Sequence, residues 1–158
     1  MDRIDIRGAR AADAEQLLPL IEAYWRHDGI AGFVAARLRR QLDEFLSSPA
    51  YGAGWMATLA GAPIGYLLCT LVYSFEHGGL MAEIDELFVD PGHRRRGIGQ
   101  GLVSTARGQL STLGCRALQM QVADDNGDSQ RFYAQLGFRE KRGYRLWVTA
   151  LEAPAKHP

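Results

Sequence analysis

The sequence predicts a mixed α/β fold in which helices flank a mostly antiparallel central sheet with one βαβ crossover. Apolar residues recur with helical spacing in some segments and with strand spacing in others, so both element types are expected. A glycine-proline turn joins two apolar runs near the middle of the chain, which indicates antiparallel neighbours. A strand, a helix and another strand follow later, and that order requires a crossover connection.

Length and composition favour one compact domain. The chain has 158 residues, of which 47% are hydrophobic and 23% charged, and we predict a single domain over residues 1–158. Its 18 basic and 18 acidic residues cancel to a formal net charge of +0. Nucleic acids and anionic membranes are bound by neutralising phosphates, so neither partner is expected. A homodimer is left open.

The first third of the chain predicts a strand followed by two helices. Ile4 and Ile6 alternate with charged residues, as in a half-buried strand. Asp13 is a suitable N-cap for the first helix, although Pro19 should kink that helix or restrict it to a short first piece. A second helical pattern covers residues 34–46 and stops before the next proline.

The remaining elements are shorter and alternate between strand and helix. The predicted strands lie at residues 54–59, 64–72, 81–89, 117–122 and 144–151. Helices are predicted at 98–113 and 128–136, and each is followed by a glycine, which is favoured just past a helix end. Taken in order, these elements give βααβββαβαβ.

The cysteines and histidines predict neither a disulfide framework nor a metal site. Cys69 and Cys115 lie apart beside apolar runs, as buried thiols do. The four histidines show no i, i+4 spacing and no pairing with cysteine. The amino terminus lacks the pattern of a secretory signal, and no run approaches about 20 apolar residues. We therefore predict a cytoplasmic location.

One segment concentrates the charge of this neutral chain. We call it the arginine–glycine loop, Arg94-Arg95-Arg96-Gly97-Ile98-Gly99-Gln100-Gly101. It follows a predicted strand and opens a helix, whose free N–H groups and dipole favour phosphate. Glycines bring the backbone close to an anion, and arginines add charged hydrogen bonds. A packed strand-to-helix turn beside solvated arginines is the alternative interpretation.

Two nucleotide-binding loops do not fit this segment. A P-loop needs Gly-Lys-Ser/Thr, but Gly101 is followed by Leu102. The dinucleotide fingerprint needs a third glycine at 102, which is again Leu102. A nucleotide-binding regulatory module is therefore disfavoured.

Two segments together resemble the GNAT N-acetyltransferase superfamily. Residues 87–99, Leu-Phe-Val-Asp-Pro-Gly-His-Arg-Arg-Arg-Gly-Ile-Gly, resemble its central motif. Downstream, its second motif is matched by Asn126, Ser129, Phe132, Tyr133, Gly137 and Phe138, with Ser129 in place of the usual alanine. The resemblance implies a GNAT-like acyl-CoA N-acyltransferase fold and acetyl-CoA as the acyl donor, without a metal.

The resemblance also implies where the donor lies. The pyrophosphate would sit on the arginine–glycine loop, and the pantetheine amides would pair with the backbone of Leu87, Phe88 and Val89 like an added strand. Asn126, Ser129 and Tyr133 would complete the donor site.

Three acids precede this strand end and are candidates for the general base. An alkylamine of pKa about 10.4 is almost fully protonated at pH 7, so a carboxylate can help to deprotonate it. Glu83 and Asp85 share one strand face, and Glu86 points to the other unless a bulge intervenes. By resemblance, Tyr133 would protonate the departing thiolate.

The acceptor is expected to be a small cationic amine, attacked directly in a ternary complex without an acetyl-enzyme. By resemblance, its pocket would be built from residues 24–33 and 74–79, which suit a moderately apolar or sugar-like body. Residues 121–128 and 132–140 locally resemble aminoglycoside 3-N-acetyltransferases. A non-catalytic acetyl-CoA sensor, and an enzyme acting on a protein N-terminus or lysine, remain alternatives.

Overall fold

The computed structural model describes residues 3–151. The chain divides into two compact units, Met1–Ala123 and Asp124–Pro158. The first unit holds all the strands formed within residues 3–151 and three of the helices. The second holds one helix and the segment that follows it.

The first unit is a five-stranded sheet with helices on both faces. Its strands are β1 (Ile4–Gly8), β2 (Gly52–Leu59), β3 (Ala62–Ser74), β4 (Gly79–Val89) and β5 (Leu118–Met120). Its helices are α1 (Ala14–His27), α2 (Ala35–Ser47) and α3 (Ile98–Thr112). The strand order is β1-β2-β3-β4-β5; the first four are antiparallel, and β5 runs parallel to β4 after the α3 crossover. The predicted fold class is confirmed.

Alternating side chains of the sheet pack against different helices. Met56, Tyr66 and Phe88 join the buried side chains of α1 and α2 in one cluster. Trp55, next to Met56 in β2, is 1% exposed and donates its indole N–H to Gln109 of α3 at 2.8 Å. Because neighbours in a strand point to opposite faces, α3 lies on the other side of the sheet.

Pro19 does not restrict α1 to a short first piece, so that alternative of the prediction is wrong. The helix runs unbroken over fourteen residues with the proline inside it. Proline removes one backbone hydrogen bond and crowds the preceding turn. Burial of Leu17, Leu18 and Ile21 on the sheet offsets this cost, because fully burying such a side chain contributes about 1.5–3 kcal/mol.

Asp13 stands at the N-cap of α1, but its side chain does not cap that helix. Its carboxylate accepts from both terminal nitrogens of Arg7, at 2.7 and 2.8 Å, and from the Arg10 N–H at 2.8 Å. Asp13 is 6% exposed. The Arg7 hydrogen bonds hold the pKa of Asp13 below its usual value, so this buried ion pair ties β1 to the start of α1.

The second unit contains α4 (Gly127–Gln135). Gly137 follows it with φ +87°, the left-handed conformation predicted for the residue past a helix end. The strand predicted at 144–151 is not formed, and β5 is shorter than the predicted 117–122. A β-strand forms by hydrogen bonding to a neighbouring strand, and no strand of the described chain pairs with residues 144–151. The large apolar side chains of this segment are exposed, among them Trp147 at 89%. The order observed over residues 3–151 is βααβββαβα.

Candidate active site

A bulge in β4 determines which acids face the same space. Ile84 is paired with Cys69, and Glu86 with the preceding Leu68, so Asp85 is an extra residue between them. An extra residue interrupts the strict alternation of side chains. Asp85 and Glu86 consequently line one cavity, although they are consecutive in the chain. The sequence had left Glu86 on the opposite face unless such a bulge occurred.

This cavity, which we call the β4 cavity, lies between the sheet and the first two helices. Its volume is about 320 Å³. Its lining residues are Ile21, Trp25, Leu38, Gln41, Leu42, Phe45, Leu68, Thr70, Asp85 and Glu86. Glu83 is the cross-strand partner of Thr70, so its side chain leaves the sheet on the same face. The bulge thus gathers all three candidate acids on one side of the sheet.

The acceptor residues expected from the sequence are only partly present in this cavity. Trp25 lines it, but no other residue of 24–33 and none of 74–79 does. Tyr73 and Phe75 instead contact each other on the surface, with Phe75 94% exposed. Four lining residues come from α2, for which the sequence predicted a helix but no part in the site. An apolar stripe on a helix looks the same in a core and in a cavity wall, so no sequence signal separates the two.

Glu86 is held by two neutral donors. The indole N–H of Trp25 donates to its Oε1 at 2.8 Å, and the hydroxyl of Tyr66 donates to its Oε2 at 2.7 Å. Burial raises the pKa of Glu86, and these two hydrogen bonds act in the opposite direction. Tyr66 is fully buried, and burial followed by the Glu86 charge raises its own pKa, so the phenol remains a proton donor. Glu86 is therefore a fixed carboxylate at the cavity wall.

Asp85 and Glu83 differ in their partners. Within residues 3–151 the Asp85 carboxylate has no hydrogen bond or ion pair. It reaches solvent, yet the protein around it removes enough hydration to raise its pKa, and repulsion by Glu83 adds to this. Glu83 accepts from the side-chain amides of Gln119 at 2.5 Å and Gln121 at 3.1 Å, beside β5. Asp85 is thus the acid best able to accept a proton from a ligand.

Directly after these acids, β4 has an open edge. β5 pairs with β4 only through Ala82, Glu83 and Ile84. On that side, Leu87, Phe88 and Val89 have no strand partner among the residues described. Their other edge is occupied by β3. The open edge can pair with an extended chain of amides, as the sequence resemblance implies.

The turn after β4 is fixed by its own side chains. Asp90 accepts from the Gly92 N–H at 2.9 Å, and its carboxylate lies 3.1 Å from His93 Nδ1. Arg94 donates from Nε to the Val89 carbonyl at 2.9 Å, and its guanidinium lies 5.5 Å from the centre of the Phe88 ring. Arg94 is therefore anchored to the strand end.

The rest of the arginine–glycine loop can receive an anion. Arg95 and Gly97 have φ of +60° and +75°, so the chain bends through the left-handed region twice before α3 begins. Arg95 and Arg96 are exposed, and neither forms an ion pair in the part of the chain described. By helix geometry, the N–H groups of Ile98, Gly99 and Gln100 lack intrahelical acceptors. Free donors beside free cations fit a diphosphate.

Gly97 and Gly101 are glycines for different reasons. Nothing lies within 4 Å of a Cβ built on Gly97, where the positive φ favours glycine. A Cβ on Gly101 would come 2.6 Å from Cδ1 of Ile6, so packing of α3 against β1 explains that glycine. The expectation that Gly101 lacks a side chain for the sake of an anion has no support in this geometry.

The candidate residues of the second unit lie at the start of α4 and within it. Asn126 stands at its N-cap, and its side-chain oxygen accepts from the Ser129 N–H at 3.1 Å. Tyr133 is half-buried, and its ring makes edge contacts with Phe132 at 5.0 Å and Phe138 at 5.5 Å between centroids. Helix capping is thus enough to explain an asparagine at position 126. Tyr133 carries the one ionisable group among the three aromatic rings Phe132, Tyr133 and Phe138.

Within residues 3–151, no group of three or more His, Cys, Asp and Glu side chains could hold a metal ion. In the same part of the chain, no helix is long and apolar enough to cross a membrane. The absence of metal and the cytoplasmic location stay predictions from the sequence.

Comparison with known proteins agrees with this arrangement. The profile of the acetyltransferase (GNAT) family matches residues 14–138. Peptidyl-lysine N-acetyltransferase YjaB of Salmonella typhimurium is 33% identical over 140 residues, 86% of this chain and 83% of that protein. The uncharacterized N-acetyltransferase MJ1207 of Methanocaldococcus jannaschii is 36% identical over 89 residues, which are 56% of this chain and only 39% of that protein.

A solved structure shares the fold. Aminoglycoside N-acetyltransferase AAC(6')-Iy in complex with CoA superposes with a TM-score of 0.83 at 21% identity, covering 96% of this chain and 97% of that one. Among the relatives is also aminoglycoside N(6')-acetyltransferase type 1 of Salmonella typhimurium, 25% identical over 91 residues, 56% of this chain and 63% of that protein, so aminoglycoside enzymes are found, though of the 6' and not the 3-N type.

The chain belongs to the acetyltransferase (GNAT) family. It is accordingly an acetyl-CoA-dependent N-acetyltransferase.

Proposed function

We propose that this enzyme transfers the acetyl group of acetyl-CoA to a small primary amine by direct attack in a ternary complex, with Asp85 as the general base. The observation that carries the proposal is that Asp85 lines the β4 cavity just before the open edge of the strand, where the bulge places Glu86 beside it. An amine in the cavity and a thioester along that edge would meet beside the Asp85 carboxylate.

The proposed reaction removes a proton from the acceptor, forms the amide and releases coenzyme A. The ammonium group of the acceptor gives one proton to Asp85, directly or through water, and becomes a nucleophilic amine. Its lone pair attacks the thioester carbonyl carbon, and a backbone N–H at the open edge of β4 stabilises the oxyanion. The C–S bond breaks, and Tyr133 donates its phenolic proton to the departing thiolate of coenzyme A. The acylated nitrogen then loses its second proton through water to the Tyr133 phenolate, and Asp85 releases its proton to solvent, so the products are the amide, free CoA and one proton.

The other acids take different roles. Glu86, with both oxygens held by Trp25 and Tyr66, provides a fixed negative charge that attracts the ammonium group. Glu83, bound by two glutamine side chains, raises the pKa of Asp85 by repulsion.

The state of Cys69 supports direct transfer without an acetyl-enzyme. Burial raises the pKa of the Cys69 thiol to about 12, so it is not a thiolate at neutral pH.

The donor site follows the sequence resemblance. The pyrophosphate would bind Arg95, Arg96 and the first N–H groups of α3, with Arg94 supporting the turn, and Leu87, Phe88 and Val89 would pair with pantetheine. Ser129 and Asn126 would shape the donor site through the start of α4. A single catalytic domain over residues 1–158 stays a prediction from the sequence.

A lysine side chain of a protein is a second candidate acceptor. The 33% identity to a peptidyl-lysine N-acetyltransferase favours it. A lysine also presents a primary amine at the end of a slender alkyl chain.

The test is release of free CoA from acetyl-CoA by the full chain with a panel of amines and lysine peptides. We expect turnover with at least one amine and none without an acceptor. Tyr133→Phe should lower kcat by about 10²–10⁴-fold with little change in acetyl-CoA affinity. Full activity of that variant would reject Tyr133 as the acid, and acetyl-enzyme as an obligatory intermediate would reject direct transfer.

A further inference from the structure

The β4 cavity has two chemically different ends. Its acidic end is formed by Asp85 and Glu86 on β4. The rest of its wall is mostly apolar and comes from α1, α2 and β3, namely Ile21, Trp25, Leu38, Leu42, Phe45 and Leu68. No lining residue from α1 or α2 carries a charge.

The charges that can match an acceptor ammonium group in this cavity all lie on β4. Asp85 is the carboxylate that lacks a protein partner among the described residues, and Glu86 already accepts two hydrogen bonds. An ammonium group at the acidic end can bind Asp85 directly and is attracted by the Glu86 charge beside it. A second ammonium group would lie against Leu38, Leu42 or Phe45, where it loses hydration and gains no counter-charge.

An acceptor with a polyhydroxylated body also fits poorly in the apolar part of the β4 cavity. Its hydroxyl groups need hydrogen-bond partners once water is removed. Beyond the acids, Gln41 and Thr70 are the only polar side chains of the lining. The volume of about 320 Å³ also lies at the lower end of the roughly 300–1,000 Å³ range of small-molecule sites.

We infer that the acceptor is a monoamine with an apolar body, an alkylamine or arylalkylamine, bound with its ammonium group at Asp85 and its body between α1 and α2. This inference rests on the proposed function and specifies its acceptor class. Diamines and aminoglycosides are excluded as preferred acceptors, although relatives carry the aminoglycoside name. Gln41, exposed on α2 at the apolar end, sets the polarity of that end.

The test compares kcat/KM of the full chain for hexylamine and 2-phenylethylamine with those for cadaverine and kanamycin. We expect the two apolar monoamines to be preferred at least tenfold. Equal or better use of cadaverine or kanamycin would overturn the inference and leave the acetyltransferase mechanism standing. Turnover of none of these amines, nor of any other in the wider panel, would overturn the proposed function and this inference together.

A matched pair of variants tests the placement of the acceptor body. Gln41→Glu puts an anion at the apolar end, whereas Gln16→Glu makes the same change on the exposed face of α1, outside the cavity. Gln41→Glu should raise the KM of hexylamine and lower that of cadaverine, each by about three- to fivefold, the effect of one partly exposed ion pair. Gln16→Glu should change neither. If both variants behave alike, the body does not lie against Gln41.

Discussion

The hydroxyl of Tyr66 donates to Oε2 of Glu86 at 2.7 Å, across the β3–β4 pair and beside the bulge at Asp85. Tyr66 is fully buried, so this hydrogen bond is shielded from water. It links the core of the sheet to the acidic end of the β4 cavity.

Removing that hydroxyl should therefore affect both stability and acceptor binding. Tyr66→Phe keeps the ring but leaves Glu86 short of one donor, and a hydrogen bond to a charged group contributes about 1.5–3 kcal/mol. Urea denaturation should show a loss of this size, and the KM of the acceptor should rise more than kcat falls. Tyr51→Phe is the control, because that half-exposed hydroxyl has no partner in the described chain. Equal effects of the two changes would contradict the role of the Tyr66–Glu86 bond.

Asp85 should lower stability while it supports catalysis. Its pKa is raised in the folded protein, so its contribution to stability is fully present below the usual Asp pKa of about 3.9 and is lost as pH rises through the raised value. At pH 7 its charge is a net cost. Asp85→Asn should keep Tm unchanged or raise it by a few degrees at pH 7, as followed by calorimetry. A marked fall in Tm would show that Asp85 is structural.

The pair of Arg7 and Asp13 should have the opposite pH dependence. The pKa of Asp13 is lowered by its hydrogen bonds to Arg7, so its contribution is present above about pH 3.9 and is lost as pH falls through the lowered value. Asp13→Asn should reduce the free energy of unfolding at pH 7 by about 1.5–3 kcal/mol. The difference from the parent protein should shrink as the denaturation series approaches pH 2, and a difference independent of pH would contradict the ion-pair account.

The arginine–glycine loop should control donor affinity. Arg95→Gln or Arg96→Gln removes one cation facing the proposed pyrophosphate site, and a tenfold rise in Kd corresponds to about 1.4 kcal/mol. We expect acetyl-CoA Kd, measured by calorimetry, to rise about tenfold for each change and to depend less on salt. Arg40→Gln on α2 is the control, since this exposed arginine lies far along the chain from the loop. Unchanged acetyl-CoA affinity in both loop variants would show that the pyrophosphate does not bind at the arginine–glycine loop.

The parts of the site that depend on local residue preference were predictable. The end of a strand at Val89 and the start of a helix at Ile98 were predicted from the residues at those positions, and the structure confirms both. Asn126 at the N-cap of α4 is a residue type favoured there, although the sequence analysis had placed it only in the family motif. Glycine, proline and asparagine restrict or permit particular backbone angles whatever the rest of the fold does.

The bulge and the cavity depend on tertiary contacts. Which residue of β4 lies opposite Leu68 is decided by the pairing of two strands, and nothing in Glu83-Ile84-Asp85-Glu86 marks Asp85 as the extra one. Likewise, the apolar stripe of α2 carries no sign that part of it faces a space. Pro19 shows the reverse: a local preference was overridden by burial of the residues around it.

The most direct test of the account compares Asp85→Asn with Glu83→Gln in the same acetyl-transfer assay at pH 8. Each change replaces a carboxylate by an amide of similar size, two residues apart in β4. If Asp85 is the base, kcat/KM should fall about 10²–10⁴-fold for Asp85→Asn and by no more than about threefold for Glu83→Gln. A fully active Asp85→Asn variant, or a larger loss for Glu83→Gln, would contradict the assignment of the base.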